Sequence, residues 1–308
     1  MNRQATSLSS DLAVAALAAA RDVGSIKTGK SKSSRLDVYF FLSLDLVGST
    51  RLKVSEEGKD GRWAAHYQFF YESCQTLVGS VIPGAKLWKF LGDEVLFYVR
   101  IQKPMDIRNA VKSAYASLIQ IAGLIQSRTG DAASAKGTAW LAPIRSYDSL
   151  TKADAVFFDD LAEKLRAEDR EISGAVRGQR DFLGPNIDAG FRLAQYTRRE
   201  QLLLAPGLAY YLLDSGLDSS RLSVLDAVQL KGVAAGMPLP IVWYSEKDFE
   251  FAKDWFHYDE RYGDELVRKL CNGEAESGDY LRVVQSRIAN SGYFFSTIDL
   301  NRVIKSRR

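Results

Sequence analysis

Apolar residues change their spacing along the chain, and these changes mark the predicted elements. The apolar run Phe40 to Leu44 ends at Asp45 and predicts a buried strand. Two further apolar segments, Gly84 to Phe90 and Val95 to Val99, flank the dipeptide Gly92-Asp93. A tight Gly-Asp turn between such segments predicts a β-hairpin.

Helical spacing fills the segments between these strands. An amphipathic pattern rich in Tyr and Phe runs from Trp63 to Val81, and a second runs from Pro104 to Arg128. Lys53 to Arg62 is predicted to be a charged loop, and Lys136 to Ala142 a strand. The order strand, helix, strand, strand, helix, strand predicts an α+β fold of the ferredoxin-like split βαβ type, with an antiparallel sheet that carries helices on one face.

The pattern loosens after this unit and then becomes regular again. Residues 143–180 are interpreted as an insertion with a short helix near Asp159 to Arg170. Gly184-Pro185 then precedes a predicted helix from Asn186 to about Thr197. The later predicted elements are a strand at Leu202 to Leu204, a helix at Pro206 to Leu213 and a hairpin-like pair at Leu222 to Leu230 and Leu239 to Tyr244.

These patterns divide the chain into three predicted parts. Residues 1–35 contain an Ala-rich helical pattern from Ser9 to Asp22 and a polar linker. Residues 36–246 form the predicted main domain, and residues 247–308 form a charged helical extension.

Composition narrows the classes of function. The chain has 308 residues, a formal net charge of +3 and the apolar fraction of a globular protein. This balance does not favour nucleic-acid binding, which needs clustered Lys and Arg. Cys74 and Cys271 offer no disulfide framework, so reduced cytoplasm is expected. The apolar run Leu12 to Ala20 is too short to span a bilayer, and no membrane association is predicted.

Two carboxylates are candidates for a metal site. Asp45 ends one predicted strand and Asp93 lies at the tip of the predicted hairpin. If the hairpin packs beside the strand, both side chains and the backbone carbonyl of Leu46 converge. Hard oxygen ligands of this kind suit Mg²⁺ or Mn²⁺ ions that also hold phosphates. The alternative reading is that each Asp serves a turn or a helix cap.

A second group of polar residues follows the insertion. Asp188 and Arg192 are four residues apart and therefore share one face of the predicted helix. Lys231 follows an apolar strand and precedes Gly232, a position in which an ammonium group could meet a phosphate. Taken alone, Lys231 is better interpreted as an exposed strand end.

Together these motifs resemble the class III nucleotidyl cyclases, the family of adenylate and guanylate cyclase catalytic domains. The resemblance covers about Val38 to Tyr244. The matching motifs, in the family's order, are Asp45 with Val47-Gly48-Ser49-Thr50, Lys89-x-x-Gly92-Asp93, Asp181-x-x-Gly184 with Arg192, and Lys231-Gly232.

The resemblance implies a role for each matching residue. Asp45, Leu46 and Asp93 would bind two divalent ions, Mn²⁺ or Mg²⁺. Lys89 and Asp181 would read the base. Arg192 would stabilise the transition state, Asp188 would stand at the ribose-orienting position, and Lys231 would bind the terminal phosphates. The remaining implied substrate-binding residues are Phe41, Gly48, Ser49 and Thr50. Family members share each site between two protomers, so a homodimer is implied.

Some phrases look most like the bacterial pyrimidine cyclases of the Pycsar antiphage system. These are Lys136-Gly137-Thr138-Ala139-Trp140, the segment from Phe182 to Arg192, and Pro240-Ile241-Val242-Trp243-Tyr244. The narrower resemblance implies UTP as the substrate, cyclic UMP as the product and a separate effector that the product activates. CTP and ATP remain alternative substrates, because a lysine donor and a carboxylate acceptor can satisfy any of these bases. An inactive nucleotide sensor on the same fold is the non-enzymatic alternative.

Overall fold

The computed structural model describes residues 35–56, 62–146, 156–158, 180–182, 185–231, 238–246, 278–283 and 304. Its strands are β1 (Arg35–Val47), β2 (Lys86–Leu91), β3 (Glu94–Arg100), β4 (Ser134–Ser146), β5 (Val156–Phe158), β6 (Arg180–Phe182), β7 (Leu202–Leu204), β8 (Leu222–Gln229) and β9 (Pro238–Tyr244). Its α-helices are α1 (Ser49–Glu56), α2 (Arg62–Val81), α3 (Pro104–Thr129), α4 (Pro185–Ala194) and α5 (Pro206–Asp214).

Seven of the strands form one mixed sheet in the order β2-β3-β1-β4-β7-β9-β8. Strand β1 pairs antiparallel with both β3 and β4, and β4 pairs parallel with β7. The order β2-β3-β1-β4 is that of a split βαβ unit, so the predicted ferredoxin-like α+β architecture is confirmed. Strands β5 and β6 form a separate antiparallel pair.

Strand β1 presents a different chemistry on each side of the sheet, because successive side chains of a strand point to opposite faces. One face carries the buried side chains Val38, Phe40, Leu42, Leu44 and Leu46. A Cβ atom built on Gly137 of β4 would lie 3.2 Å from Leu44 and 3.4 Å from Leu118 of α3, so this aliphatic face lies under the helices.

Helices α2 and α3 cover the aliphatic face with regularly spaced apolar residues. In α3 the buried positions include Ile107, Val111, Ala114, Leu118 and Ile121, a helical repeat. Burying each large aliphatic side chain of this kind contributes about 1.5–3 kcal/mol before entropy is counted. The first turn of α3 is closed by Asp106, whose carboxylate accepts a hydrogen bond from the Lys103 N–H at 2.8 Å, and Gly130 ends the helix in a left-handed conformation.

The opposite face carries an aromatic cluster, which consists of Tyr39, Phe41, Trp88, Tyr98, Trp140, Phe182 and Phe191. Phe41 stacks on Trp140 with ring centroids 5.4 Å apart, and Phe182 meets Phe41 edge-on at 5.0 Å. Helix α4 packs over this cluster. A Cβ atom at Gly190 would lie 2.4 Å from the Trp140 ring, so only glycine permits this approach of helix to sheet.

The structure corrects two boundaries predicted from sequence. The predicted loop Lys53 to Arg62 was wrong at its start, because helix α1 runs through Glu56. Leu52 is fully covered in this short helix while Thr50, Arg51 and Lys53 are exposed, so no helical apolar period appears in the sequence. Strand β4 also continues to Ser146, where it pairs with Arg35, and so extends into the predicted insertion.

Several predicted segments lie outside the described residues. These are the helix from Ser9 to Asp22, the short helix near Asp159 to Arg170 and most of residues 247–308. Within the last segment, the described residues include a short helical stretch at 278–283, and Tyr280, Leu281 and Ile304 are buried in the same core as the sheet. None of the helices in the described ranges is long and apolar enough to cross a membrane.

We expect Gly190→Ala to lower the free energy of unfolding by about 1–3 kcal/mol, because the added methyl group must displace the fully buried Trp140 ring. Gly123→Ala is the matched control. Gly123 lies on the exposed side of α3, and an added methyl group there would meet open space, so this change should stabilise the helix by up to about 1 kcal/mol. Urea denaturation measures both values, and equal effects of the two substitutions would contradict the tight contact.

Candidate functional site

Three ionisable side chains form a row across the end of the sheet. Asp45 on β1 lies directly opposite Glu94 on β3 and Lys136 on β4. Partners that lie opposite one another in an antiparallel pair share a face, so this row lies on the same side as the aromatic cluster. The Lys136 ammonium contacts Asp45 Oδ2 at 3.0 Å. The Ser43 hydroxyl donates a hydrogen bond to the Glu94 carboxylate.

Asp93 joins this row from the turn between β2 and β3. The Leu46 N–H donates to the Asp93 carbonyl at 3.1 Å, which fixes the turn against the end of β1. The Ser49 hydroxyl, at the first residue of α1, donates to Asp93 Oδ2. Thr50 follows on the exposed side of that helical turn. The structure therefore brings the turn that carries Asp93 against the backbone of Leu46, next to Asp45.

Gly48 forms the turn that links β1 to α1. Its φ of +85° is a left-handed conformation that side-chain-bearing residues rarely adopt. A Cβ atom there would also lie 2.6 Å from the Ala132 carbonyl oxygen. The turn thus sets the first turn of α1 beside the two carboxylates, and the backbone N–H groups of a first helical turn can bind an anion.

The carboxylates interact strongly because they are partly removed from water. Burial raises the pKa of Asp45, and the Asp93 charge adds to this, whereas the hydrogen bond and the charge of Lys136 oppose it. Burial also raises the pKa of Glu94, to which the charges of Asp45 and Asp93 contribute against the hydrogen bond from Ser43. The row therefore holds more negative charge than one ammonium group neutralises.

The chemistry of this donor set fits a hard divalent cation. Within the described ranges, no three His, Cys, Asp or Glu side chains are grouped closely enough to form a metal cage. Mg²⁺ does not need such a cage, because it is commonly held by one or two carboxylates together with water and substrate phosphates. Asp45 and Asp93 match that type of site, and the ammonium of Lys136 already occupies a cation position on Asp45.

The predicted base-reading residues lie along the aromatic cluster. Lys89 follows Trp88 on β2, and its Nζ lies 4.4 Å from the centroid of the Trp88 ring. Asp181 is paired with Phe157 and precedes Phe182, whose ring contacts Trp88 with centroids 5.0 Å apart. The segments of Lys89 and Asp181 are thus neighbours, although the side chain of Asp181 lies outside the described residues.

Phe41, predicted to contact substrate, is fully covered in the single chain. Its exposure is 0%, and it packs between Trp140, Phe182 and Trp88. In this arrangement the neighbouring rings of the cluster cover Phe41.

Arg192 and Lys231 come together elsewhere. Arg192 lies in the last turn of α4 and is exposed, and its Nη1 donates a hydrogen bond to the backbone carbonyl of Lys231. The Lys231 side chain is exposed just after β8. Asp188 is also exposed, one helical turn before Arg192, on the same side of α4.

The sheet register separates these two groups of residues. Val242 of β9 is level with Leu42 of β1 through β7 and β4. Asp45 lies beyond Leu42 towards one end of the sheet, whereas β8 ends at Gln229 towards the other. Strand spacings put the two ends about 24 Å apart along the strands and about 19 Å apart across them. Asp45 and Lys231 therefore cannot contact the same phosphate group within one chain.

Solved structures share this architecture. The adenylyl cyclase CyaB from P. aeruginosa superimposes with a TM-score of 0.51 at 13% identity, covering 71% of this chain and 100% of that chain. The guanylate cyclase domain of RhGC from Catenaria anguillulae in complex with GTP gives 0.47 at 13% identity, covering 69% and 98%. Adenylate cyclases from Trypanosoma brucei give 0.47 at 10% identity, covering 72% and 95%. No family model and no curated protein matches the sequence.

The chain has the fold of a class III cyclase catalytic domain. The similarity to CyaB is one of fold, and it confirms the α+β architecture predicted above.

Within this cyclase fold, the sequence interpretation missed two members of the charged row. Glu94 was interpreted only as part of the hairpin, and Lys136 as the start of a strand and of a phrase that resembles the pyrimidine cyclases. They become evident only from the register, which places both residues directly opposite Asp45 and on the same face of the sheet.

We expect Glu94→Gln to raise the thermal unfolding midpoint in metal-free buffer at pH 7.5. The raised pKa of Glu94 means that the folded protein loses stability as the pH rises above the ordinary value of 4.5, and this cost is fully present at neutral pH. The amide removes the charge but can still accept the hydrogen bond from Ser43. The gain should shrink as the pH is lowered towards 4.5.

The control for this measurement is Glu72→Gln, on the exposed side of α2. Differential scanning calorimetry across the pH series compares the two variants with the unaltered protein. A gain from Glu94→Gln that is the same at every pH would contradict the raised pKa.

Proposed function

We propose that this protein is a nucleotidyl cyclase that acts as a symmetric dimer. The observation that supports the proposal is that the candidate site residues lie in two separate groups on a cyclase fold. Asp45 and Asp93 converge at one end of the sheet, and Arg192 and Lys231 meet at the other. A two-fold axis that sets two sheets in opposite directions brings the first group of one protomer to the second group of its partner.

The reaction follows from these residue types. The ribose 3′-hydroxyl gives its proton to water and its oxygen forms a bond to the α-phosphorus of a nucleoside triphosphate. The bond from that phosphorus to the bridging oxygen breaks, and pyrophosphate leaves. Asp45 and Asp93, with the Leu46 carbonyl, would hold two divalent cations, Mg²⁺ or Mn²⁺, which would supply charge neutralisation and a lowered pKa of the 3′-hydroxyl. Gly48, Ser49 and Thr50 form the turn and first helical turn that receive the phosphates.

The partner protomer completes the charge balance. Arg192 meets negative charge that develops at the α-phosphate, since a guanidinium group presents donors in a fixed fork. Lys231 holds the terminal phosphates as a compact charge. The hydrogen bond from Arg192 to the Lys231 carbonyl keeps these two residues beside one another. Asp188 can accept from a ribose hydroxyl but cannot donate to one.

For the base we propose a pyrimidine, with UTP converted to cyclic UMP. Lys89 and Asp181 provide a donor and an acceptor. The Pycsar-like phrases in the sequence support this choice.

On that resemblance, cyclic UMP would activate a separate effector in antiphage defence, and Mn²⁺ is the ion of first choice. CTP and ATP are the alternative substrates.

The substrate proposal is tested by incubating the purified chain separately with UTP, CTP, ATP and GTP in Mn²⁺ and identifying the products by mass. We expect cyclic UMP and pyrophosphate from UTP, at a rate at least about 10-fold above that from either purine. Cyclic AMP as the main product would overturn the pyrimidine assignment. Tight nucleotide binding without any pyrophosphate would overturn the cyclase itself.

The shared site is tested by mixing inactive variants. We expect Asp45→Ala and Arg192→Ala each to lower kcat by at least about 100-fold, because each removes charge stabilisation from every site. Mixed in equal amounts and allowed to exchange subunits, they should recover about one quarter of the unaltered activity, since half of the dimers then carry one complete site.

The matched control is a mixture of Asp45→Ala with Asp93→Ala. These residues belong to the same half of the site, so each site of a mixed dimer lacks one carboxylate and activity should stay absent. Equal recovery in both mixtures, or in neither, would contradict a site divided between protomers.

A further inference from the structure

The ion pair between Lys136 and Asp45 occupies the place that a divalent cation would need. The Nζ to Oδ2 distance is 3.0 Å, and the two side chains are only 22% and 29% exposed. They lie directly opposite one another in the β1–β4 register, so the contact is set by the sheet. Because the strand pairing already places these two side chains together, the ion pair costs less side-chain entropy than one between two flexible surface side chains.

Lys136 balances only part of the charge around it. Asp45, Asp93 and Glu94 act on one another through their charges, and Lys136 acts on both Asp45 and Glu94. Lys53 acts on Asp93 through its charge, while its ammonium group lies over the Tyr67 ring at 4.9 Å from the ring centroid. Lys136 thus balances the charge of Asp45, whereas the other carboxylates of the row keep a net negative charge.

A divalent cation on either oxygen of the Asp45 carboxylate would lie close to this ammonium group, which contacts Oδ2 at 3.0 Å. Two positive charges within about 4 Å repel one another strongly at a partly enclosed site, where the effective dielectric constant is well below that of water. Binding of the metal therefore requires Lys136 to leave Asp45. The triphosphate of a nucleotide can receive the released ammonium and also complete the metal's coordination.

We propose that Lys136 is a positioning residue that occupies Asp45 in the nucleotide-free protein and makes tight divalent-cation binding depend on nucleotide. The inference rests on the proposed function in one respect, that the divalent cations bind at Asp45. In this scheme the metal alone binds weakly because it displaces an ion pair without a new partner for Lys136. The metal and nucleotide together bind tightly because the phosphates accept that lysine.

The test is the affinity of the nucleotide-free protein for Mn²⁺, read from the electron paramagnetic resonance signal of free Mn²⁺ at low ionic strength and pH 8. We expect Lys136→Gln to bind Mn²⁺ at least about 10-fold more tightly than the unaltered protein, because the competing charge is gone. The amide can still donate a hydrogen bond to Asp45. Lys136→Arg keeps the charge and should bind Mn²⁺ as weakly as the unaltered protein.

Lys112→Gln is the matched control. Lys112 on α3 is also paired with a carboxylate, that of Glu246 at 3.8 Å, but it lies away from the charged row. Its removal should leave the Mn²⁺ affinity within about twofold of the unaltered value, as expected for a charge much farther from Asp45 than that of Lys136. An equal gain in Lys112→Gln and Lys136→Gln, or no gain in Lys136→Gln, would overturn the proposal.

A second measurement needs no substitution. Acetylation of the unaltered protein, followed by mass spectrometry, reports the reactivity of each lysine amine. Mn²⁺ at a saturating concentration should raise the labelling rate of Lys136 relative to Lys112, since Lys136 is released from Asp45. An unchanged ratio would overturn the displacement step.

Failure of this inference and failure of the proposed function give different results. If the protein forms cyclic nucleotide but Lys136→Gln leaves the Mn²⁺ affinity unchanged, the cyclase proposal stands and the role of Lys136 is rejected. A protein that forms no cyclic nucleotide while Lys136→Gln tightens Mn²⁺ binding keeps the role of Lys136 at a metal site and rejects the cyclase.

Discussion

The antiparallel pairing of β1 on both sides is the constraint on which the rest of the structure depends. Because β1 lies between β3 and β4, each of its central residues has a fixed neighbour on either flank. A shift of one residue in either pairing would turn Asp45 towards the helices and Leu44 towards the charged row. The aliphatic face under α2 and α3 opposes such a shift, so the same burial that stabilises the fold also positions the carboxylates.

The charged row is unfavourable in isolation, and the protein surrounds it with rigid support. Burial works against the ionised forms of Asp45 and Glu94, as their raised pKa values show. Next to them, the stacked rings of Phe41 and Trp140 make the sheet stiff, and Gly190 lets α4 approach it closely. Stability lost in one part of the face is offset by packing in the next, a division typical of binding sites on a firm scaffold.

The sequence predicted most of the fold because its long elements have a single clear period. The helices α2 and α3, the hairpin at Gly92-Asp93 and the split βαβ order all follow from spacing. Helix α1 did not, since eight residues with one buried leucine carry no period. The end of β4 was hidden for a related reason: near Ser146 the strand is held by its pairing with Arg35, which no local pattern reveals.

The candidate site was predictable where a motif names a residue type at a turn, as for Asp45 and Asp93. It was not predictable where chemistry depends on cross-strand neighbours, as for Glu94 and Lys136, because those contacts join residues far apart in the chain.

Placing the two halves of the site at opposite ends of the sheet has a consequence for control of the protein in the cell. On the proposed function, a solitary chain is silent, and the rate of signal production at low abundance grows with the square of the amount of protein. A modest change in the amount of protein would then produce a larger relative change in the rate at which the second messenger is formed. The geometry of one sheet would thus act as a threshold, without any additional regulatory domain.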